Sequence, residues 1–104
     1  MKNITRAAFI VRSPGYVGEC VRSALGLAVE SIEPRVYIID AAIDAADPRL
    51  DDFKERLELL DDMEGRVMSN LPANSAAFPF IQPASLADIA GDLAEADLVI
   101  SFGE

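Results

Sequence analysis

Two neighbouring features of this 104-residue chain have the residue types and spacing for chemistry. One is the turn Ser13-Pro14-Gly15-Tyr16-Val17-Gly18, and the other is the single cysteine, Cys20, two residues beyond it. The turn follows an apolar run and leads into helical periodicity. Free backbone N–H groups and the helix dipole would favour an anion there, by ~0.3–1 kcal/mol per exposed charge. The spacing departs from G-x-G-x-x-G, no Lys-Ser/Thr pair completes a P-loop, and Glu19 already stands where a phosphate would sit. Ser13, Gly15, Tyr16 and Gly18 are therefore candidate ligand-binding residues for a small anion or nucleotide, with a purely structural turn as the competing reading. Cys20 is the one candidate nucleophile. In the first helical turn the dipole would lower its pKa and favour the thiolate, whereas a free cysteine on an apolar arc also packs as a small hydrophobe.

Other chemistries are excluded by what the chain lacks. With one cysteine and no histidine, it cannot form an internal disulfide, a Cys/His zinc site, or a Ser-His-Asp or Cys-His constellation. The acidic series from Asp44 to Glu64 follows the wet face of an amphipathic helix and lacks the Asp-x-Asp-x-Asp-Gly order of a calcium loop. Neither a metal nor a cofactor is expected.

The elements that must position these groups belong to one small domain, since 51% hydrophobic and 26% charged residues is an ordinary globular balance. The net charge of −9 is uneven. Residues 1–39 hold Lys2, Arg6, Arg12, Arg22 and Arg35 against Glu19, Glu30 and Glu33, so the acidity belongs to residues 40–104. A field of that sign repels nucleic-acid backbones and anionic lipid, so neither is an expected partner. Apolar runs are far shorter than the ~20 residues of a membrane span. The Met1–Arg6 start has no secretory pattern, and the expected compartment is the cytoplasm.

Ala7–Val11 is a continuous apolar run, the mark of a strand buried on both faces. From Val17 to about Ile32, the positions Val17, Val21, Ala24, Leu25, Ala28 and Ile32 share one helical arc, and Pro34 stops that helix. Val36–Ile39 is a second buried strand. Asp47-Pro48 opens a helix in which Leu50, Phe53, Leu57 and Leu60 face inward. Asp51, Asp52, Lys54, Glu55 and Glu58 face water, and Gly65 caps the C-terminal end. Arg66–Ser69 is a third strand, followed by a loop and a brief helical turn. Phe78–Ile81 is a fourth strand, at an edge or distorted, because Pro79 lacks a donor. Ser85 and Asp88 form a capping box for a helix with an apolar stripe of Leu86, Ile89, Ala90 and Leu93. Asp97–Phe102 is the last strand. This alternation predicts an α/β three-layer sandwich: a mostly parallel sheet of about five strands, helices on both faces, and a binding rim at the carboxyl ends of the strands.

The segment Val11-Arg12-Ser13-Pro14-Gly15-Tyr16-Val17-Gly18-Glu19-Cys20-Val21-Arg22-Ser23-Ala24-Leu25-Gly26-Leu27-Ala28 resembles the first strand, turn and helix of the DsrE/DsrF-like family of small sulfur-relay proteins. Ala84 to Phe102 is similar to that family's last helix and closing strand. The resemblance implies a cytoplasmic, flavodoxin-like α/β subunit that assembles as a homo-oligomer (dimer, trimer or hexamer) or with related subunits. Active members pass sulfur as a persulfide on a cysteine in the loop after the third strand. Here that region is Val67-Met68-Ser69-Asn70-Leu71-Pro72. A serine hydroxyl without a base cannot replace a thiolate as sulfur carrier. Cys20 does not stand at the family's position. Ser69 and Asn70, in place of that cysteine, join the candidate ligand-binding residues. The expectation is a non-catalytic DsrE-like subunit, a scaffold or regulatory partner in sulfur or redox metabolism. The alternatives are a persulfide carrier using Cys20 and an anion-binding module using Ser13–Gly18.

Overall fold

The computed structural model describes residues 5–44, 46–50 and 52–102, with Arg49 described by its backbone alone. Met1–Ile4 and Asp51 lie outside the described residues. The strands are β1 (Arg6–Val11), β2 (Glu33–Ile38), β3 (Arg66–Ser69), β4 (Ile81–Pro83) and β5 (Leu98–Phe102). The helices are α1 (Val17–Val29), α2 (Phe53–Asp62), α3 (Pro72–Ala77) and α4 (Leu86–Ala94). Short 3₁₀ turns, Pro14–Tyr16 and Pro48–Leu50, precede α1 and α2. The sheet has order β4-β3-β2-β1-β5 with every pairing parallel. The chain steps one way from β1 to β4 and then returns to place β5 beside β1.

Side-chain alternation divides the strands between two cores. Ala7, Phe9 and Val11 of β1 join Val36, Ile38 and Val67 against Val17, Cys20, Val21 and Ala24 of α1 and Phe53, Leu57 and Leu60 of α2. On the other face Ala8, Tyr37 and Met68 meet Ile89 of α4, with Leu93 alongside. The molecule is therefore an α/β three-layer sandwich with helices on both faces, as the alternation predicts. The α4 layer is thin: only Ile89 of its expected stripe is buried, while Leu86 is 52% exposed and Ala90 is also exposed. One short helix cannot cover a five-stranded sheet, so part of its apolar face remains outside.

Several element boundaries differ from the periodicity. The first helix ends at Val29, not near Ile32, because Ser31 adopts φ 64°. The Ile32 N–H then donates to Leu27 C=O and the Ser31 N–H to Ala28 C=O, a Schellman closure. Pro34 does not lie between elements but inside β2, paired with Ala7. The Glu33 N–H faces β1, donating to Thr5 at 2.8 Å. The missing donor of Pro34 thus points toward β3, whose pairing starts only at Arg35 with Arg66. The second helix begins at Phe53 after a separate 3₁₀ turn instead of running on from Asp47. β4 is Ile81–Pro83, shifted from the expected Phe78–Ile81, because Phe78 is drawn into the core edge-to-face with Phe53 at 5.1 Å. It is an edge strand, as Pro79 suggested. Asp97 precedes β5 and accepts from the Thr5 N–H and Oγ1 and the Arg6 N–H at 2.9–3.1 Å.

The cap after α2 also departs from expectation. The left-handed position is Glu64, with φ 66°, while Gly65 follows it and donates to Leu60 C=O at 2.8 Å. Gly65 is required for proximity, since a Cβ there would come within 2.7 Å of Leu60 Cγ. A non-glycine residue in the left-handed region costs on the order of 1 kcal/mol. Glu64→Gly is accordingly expected to raise stability by about 0.5–1 kcal/mol and Gly65→Ala to lower it, both measured by urea unfolding.

Candidate functional site

The carboxyl ends of the parallel strands lie on one rim, and the turn after β1 opens it. Pro14, Gly15 and Gly18 line a cleft of about 200 Å³ together with Glu19, Arg22, Asp47, Leu50 and Arg56. Its position follows from local sequence. Pro14 starts a 3₁₀ turn that feeds α1, and Gly18 lets Leu50 approach so closely that a Cβ would sit 3.3 Å from it. Ser13 and Tyr16 are not among the lining residues. Ser13 supplies the carbonyl that accepts from the Tyr16 N–H at 3.0 Å, and the Tyr16 ring is 40% exposed. The cleft is below the ~300–1,000 Å³ typical of ligand pockets. Its two arginines are matched by two carboxylates, and Arg56 lies 3.8 Å from Asp52. Such a balance holds an anion weakly.

The ends of β2 and β3 carry the other candidates, and these bond to one another. Ser69 is 1% exposed, and its Oγ accepts from the Leu71 N–H at 3.2 Å and from Asn74 Nδ2 at 3.0 Å. Asn70 clasps Asp40 at two points: its Oδ1 accepts from the Asp40 N–H at 2.9 Å and its Nδ2 donates to Asp40 Oδ1 at 2.8 Å. Asp40 tolerates its φ of 54° because a short polar side chain is among the few that suit left-handed backbone. Asn74, also 1% exposed, accepts from the Ile43 N–H and donates to Ala41 C=O, at 2.9 and 2.8 Å. The Ser69 carbonyl takes the Ala84 N–H at 3.0 Å. Ser69 and Asn70 therefore hold the β2, β3 and β4 loops together, Ser69 from within the core and Asn70 at its half-buried edge. Asn74 was not singled out by sequence reasoning. It stands in a six-residue helix too short for a periodic signal.

Cys20 sits in the core, 0% exposed, and burial pushes its thiol up to about 12. The expected lowering by the helix dipole is outweighed by desolvation, because a thiolate there would lose its water. At neutral pH the thiolate fraction is on the order of one in a hundred thousand. A maleimide probe is expected to label native Cys20 at least tenfold more slowly than the urea-unfolded chain; equal rates would contradict its placement.

At the opposite end of the sheet lies a charged network under α4. Glu33 accepts from Arg6 Nε at 3.1 Å and from Arg35 at 3.2 Å, and Arg6 reaches Glu95 at 3.5 Å. Burial alone would raise the Glu33 pKa, but hydrogen bonds and charge from both arginines together hold it below its ordinary value of 4.5. A depressed carboxylate stabilises the fold fully above its unfolded pKa and loses that contribution as pH falls through the folded value. The gap in stability between the native chain and Glu33→Gln should therefore be largest near neutral pH and shrink below about pH 4, read by urea titrations at each pH. The Tyr37 hydroxyl faces Asp92 at 3.4 Å, and its pKa is raised, chiefly by burial and further by that carboxylate.

Among the described residues no three His, Cys, Asp or Glu side chains converge as a metal site requires, and no helix is long and apolar enough to cross a membrane. The fold and its rim define an α/β three-layer domain with a small, charge-balanced cleft beside a self-satisfied polar rim. The chain matches no family model, and neither curated proteins nor solved structures give a match.

Proposed function

We propose that the chain is a non-catalytic, DsrE-like assembly subunit, acting as a scaffold or regulatory partner in sulfur or redox metabolism through its surface. One observation carries this reading: the groups with chemical capacity are turned inward. Cys20 is buried, Ser69 and Asn70 are held by loop hydrogen bonds, and α4 and β5 expose Leu86, Leu98 and Val99. The resemblance of Val11–Ala28 and Ala84–Phe102 to the DsrE/DsrF-like family supports the sulfur context, and the absence of a cysteine in Val67–Pro72 supports the non-catalytic role.

The test is twofold. Incubation with polysulfide followed by intact-mass measurement is expected to leave the native protein unmodified. A gain of one sulfur (~32 Da) that disappears in Cys20→Ser would replace this reading with the persulfide carrier. Light scattering after size exclusion is expected to show an oligomer, and a strict monomer would remove the assembly role. A second reading, a small-anion module, is favoured by the two arginines and glycine backbone of the cleft. It requires phosphate or nucleotides to raise the melting temperature in the native chain and not in Arg22→Ala.

A further inference from the structure

The two edges of the sheet are unlike. β4 is three residues long, ends on Pro83 and follows Pro79, so it offers a copy little backbone to pair with. β5 is five residues, Leu98-Val99-Ile100-Ser101-Phe102, with no charge and no proline. Among the described residues it pairs only with β1, and Leu98 and Val99 are 38% and 47% exposed. Natural sheets guard such an edge with charge, proline, a bulge or a cover, because its unpaired amides and carbonyls are a template for another strand.

The register of that edge is fixed. The Glu33 N–H donates to Thr5 C=O and the Ile39 N–H to Val11 C=O, which leaves Ala8 and Ile10 of β1 to bond β5, and with Ala8 paired to Val99 the alternation turns the backbone groups of Leu98, Ile100 and Phe102 toward β1. Val99 and Ser101 then present their N–H and C=O groups outward.

We infer that β5 pairs antiparallel with β5 of a second copy of this chain about a two-fold axis at Ile100, forming a continuous ten-stranded sheet. This rests on the assembly reading above and names its interface. The outward groups at Val99 and Ser101 match their own reversed spacing, so Ile100 faces itself as a non-hydrogen-bonded pair and Leu98 faces Phe102 of the second copy. Val99 faces Ser101 of the second copy. No like charges oppose one another, and an isologous contact closes at two chains. Charge favours the same occupant. A copy carrying −9 is repelled by the acidic wet face of α2, which lies on the β2–β3 side. The β1–β5 side is neutral along the strand.

The experiment is light scattering on the full chain and on two folded variants that alter only exposed positions of β5. Native protein is expected at twice the monomer mass. Val99→Lys with Ser101→Lys, which places lysines opposite each other across the axis, is expected at monomer mass with an unchanged circular dichroism spectrum. Val99→Lys with Ser101→Glu, which places opposite charges there, is expected to return to twice the mass. As a check independent of those variants, Ile100→Cys puts two thiols on the axis. Facing Cα atoms lie about 4.5 Å apart in a non-hydrogen-bonded pair, within disulfide range. Mild oxidation should give a covalent dimer at least tenfold faster than Val99→Cys. An oligomer that survives the double-lysine change, or no preference for cross-linking at Ile100, overturns the edge pairing and leaves the assembly reading standing. A native chain that is monomeric overturns both.

Discussion

Asn74→Leu is expected to lower the unfolding free energy by about 3–5 kcal/mol, the largest polar effect in the molecule. Leucine keeps the branching and heavy-atom count of asparagine, though it is bulkier, and leaves the Ile43 N–H, the Ala41 carbonyl and one bond to Ser69 Oγ without partners. Each orphaned buried group costs about 1–3 kcal/mol, more than a formed bond contributes, because its water is lost without replacement. For a domain this size the melting temperature should drop by on the order of 15 °C. Asn74→Asp tests the mechanism, since it keeps the acceptor for Ile43 but removes both donations, and should fall between the native chain and Asn74→Leu. A loss below about 1 kcal/mol for Asn74→Leu would mean that the loop hydrogen bonds are replaceable by water and that the rim is not locked. Amide exchange at Ile43 should rise in the same variants, reporting that the β2–α2 connection has been released.

Phe53→Ala is expected to cost about 3–5 kcal/mol, a large fraction of the about 5–15 kcal/mol that holds an ordinary domain folded. Phe53 is 1% exposed at the first position of α2 and meets Phe78 edge-to-face. Truncation removes the buried ring, opens a cavity between α2 and the α3–β4 connection, and frees the ring that displaced β4 from its expected position. Phe53→Leu, which refills most of that volume, should cost less than half as much. Urea unfolding of both variants separates the cases; equal losses would make the aromatic contact and not the volume the dominant contribution.

Much of the fold was legible because it depends on patterns that survive in one dimension. The run Ala7–Val11 is continuous and apolar because β1 is buried on both faces, and β3 and the Ser85–Asp88 capping box stand where their residues predict. What misled was local chemistry overridden by contacts distant in sequence. Pro34 marks a break by its own properties, yet β2 absorbs it because β3 starts one residue later. Phe78 alternates with Phe80 like a strand residue, yet Phe53 captures its ring. Gly65 has the residue type of a left-handed cap, but the Leu60 side chain needs its missing Cβ, and Glu64 takes the left-handed turn instead.

The candidate site divides along the same line. The turn at Pro14–Gly18 was visible because proline and glycine announce a turn whatever surrounds them, and the sequence by itself placed it at the strand-end rim before a helix. It also determined that histidine-based and disulfide chemistry are absent, which no folding can reverse. Only the tertiary structure decided what the remaining groups do. Helical phase put Cys20 at the margin of the apolar arc, and only packing against the sheet buried it and raised its thiol pKa to about 12. Ser69, Asn70 and Asn74 are ordinary polar residues until β2, β3 and α3 meet; then Asn70 and Asn74 bond backbone groups about thirty residues away, and Ser69 accepts from Asn74. Burial and partnership are properties of neighbours in space, and a chain read in order carries the residues without those neighbours.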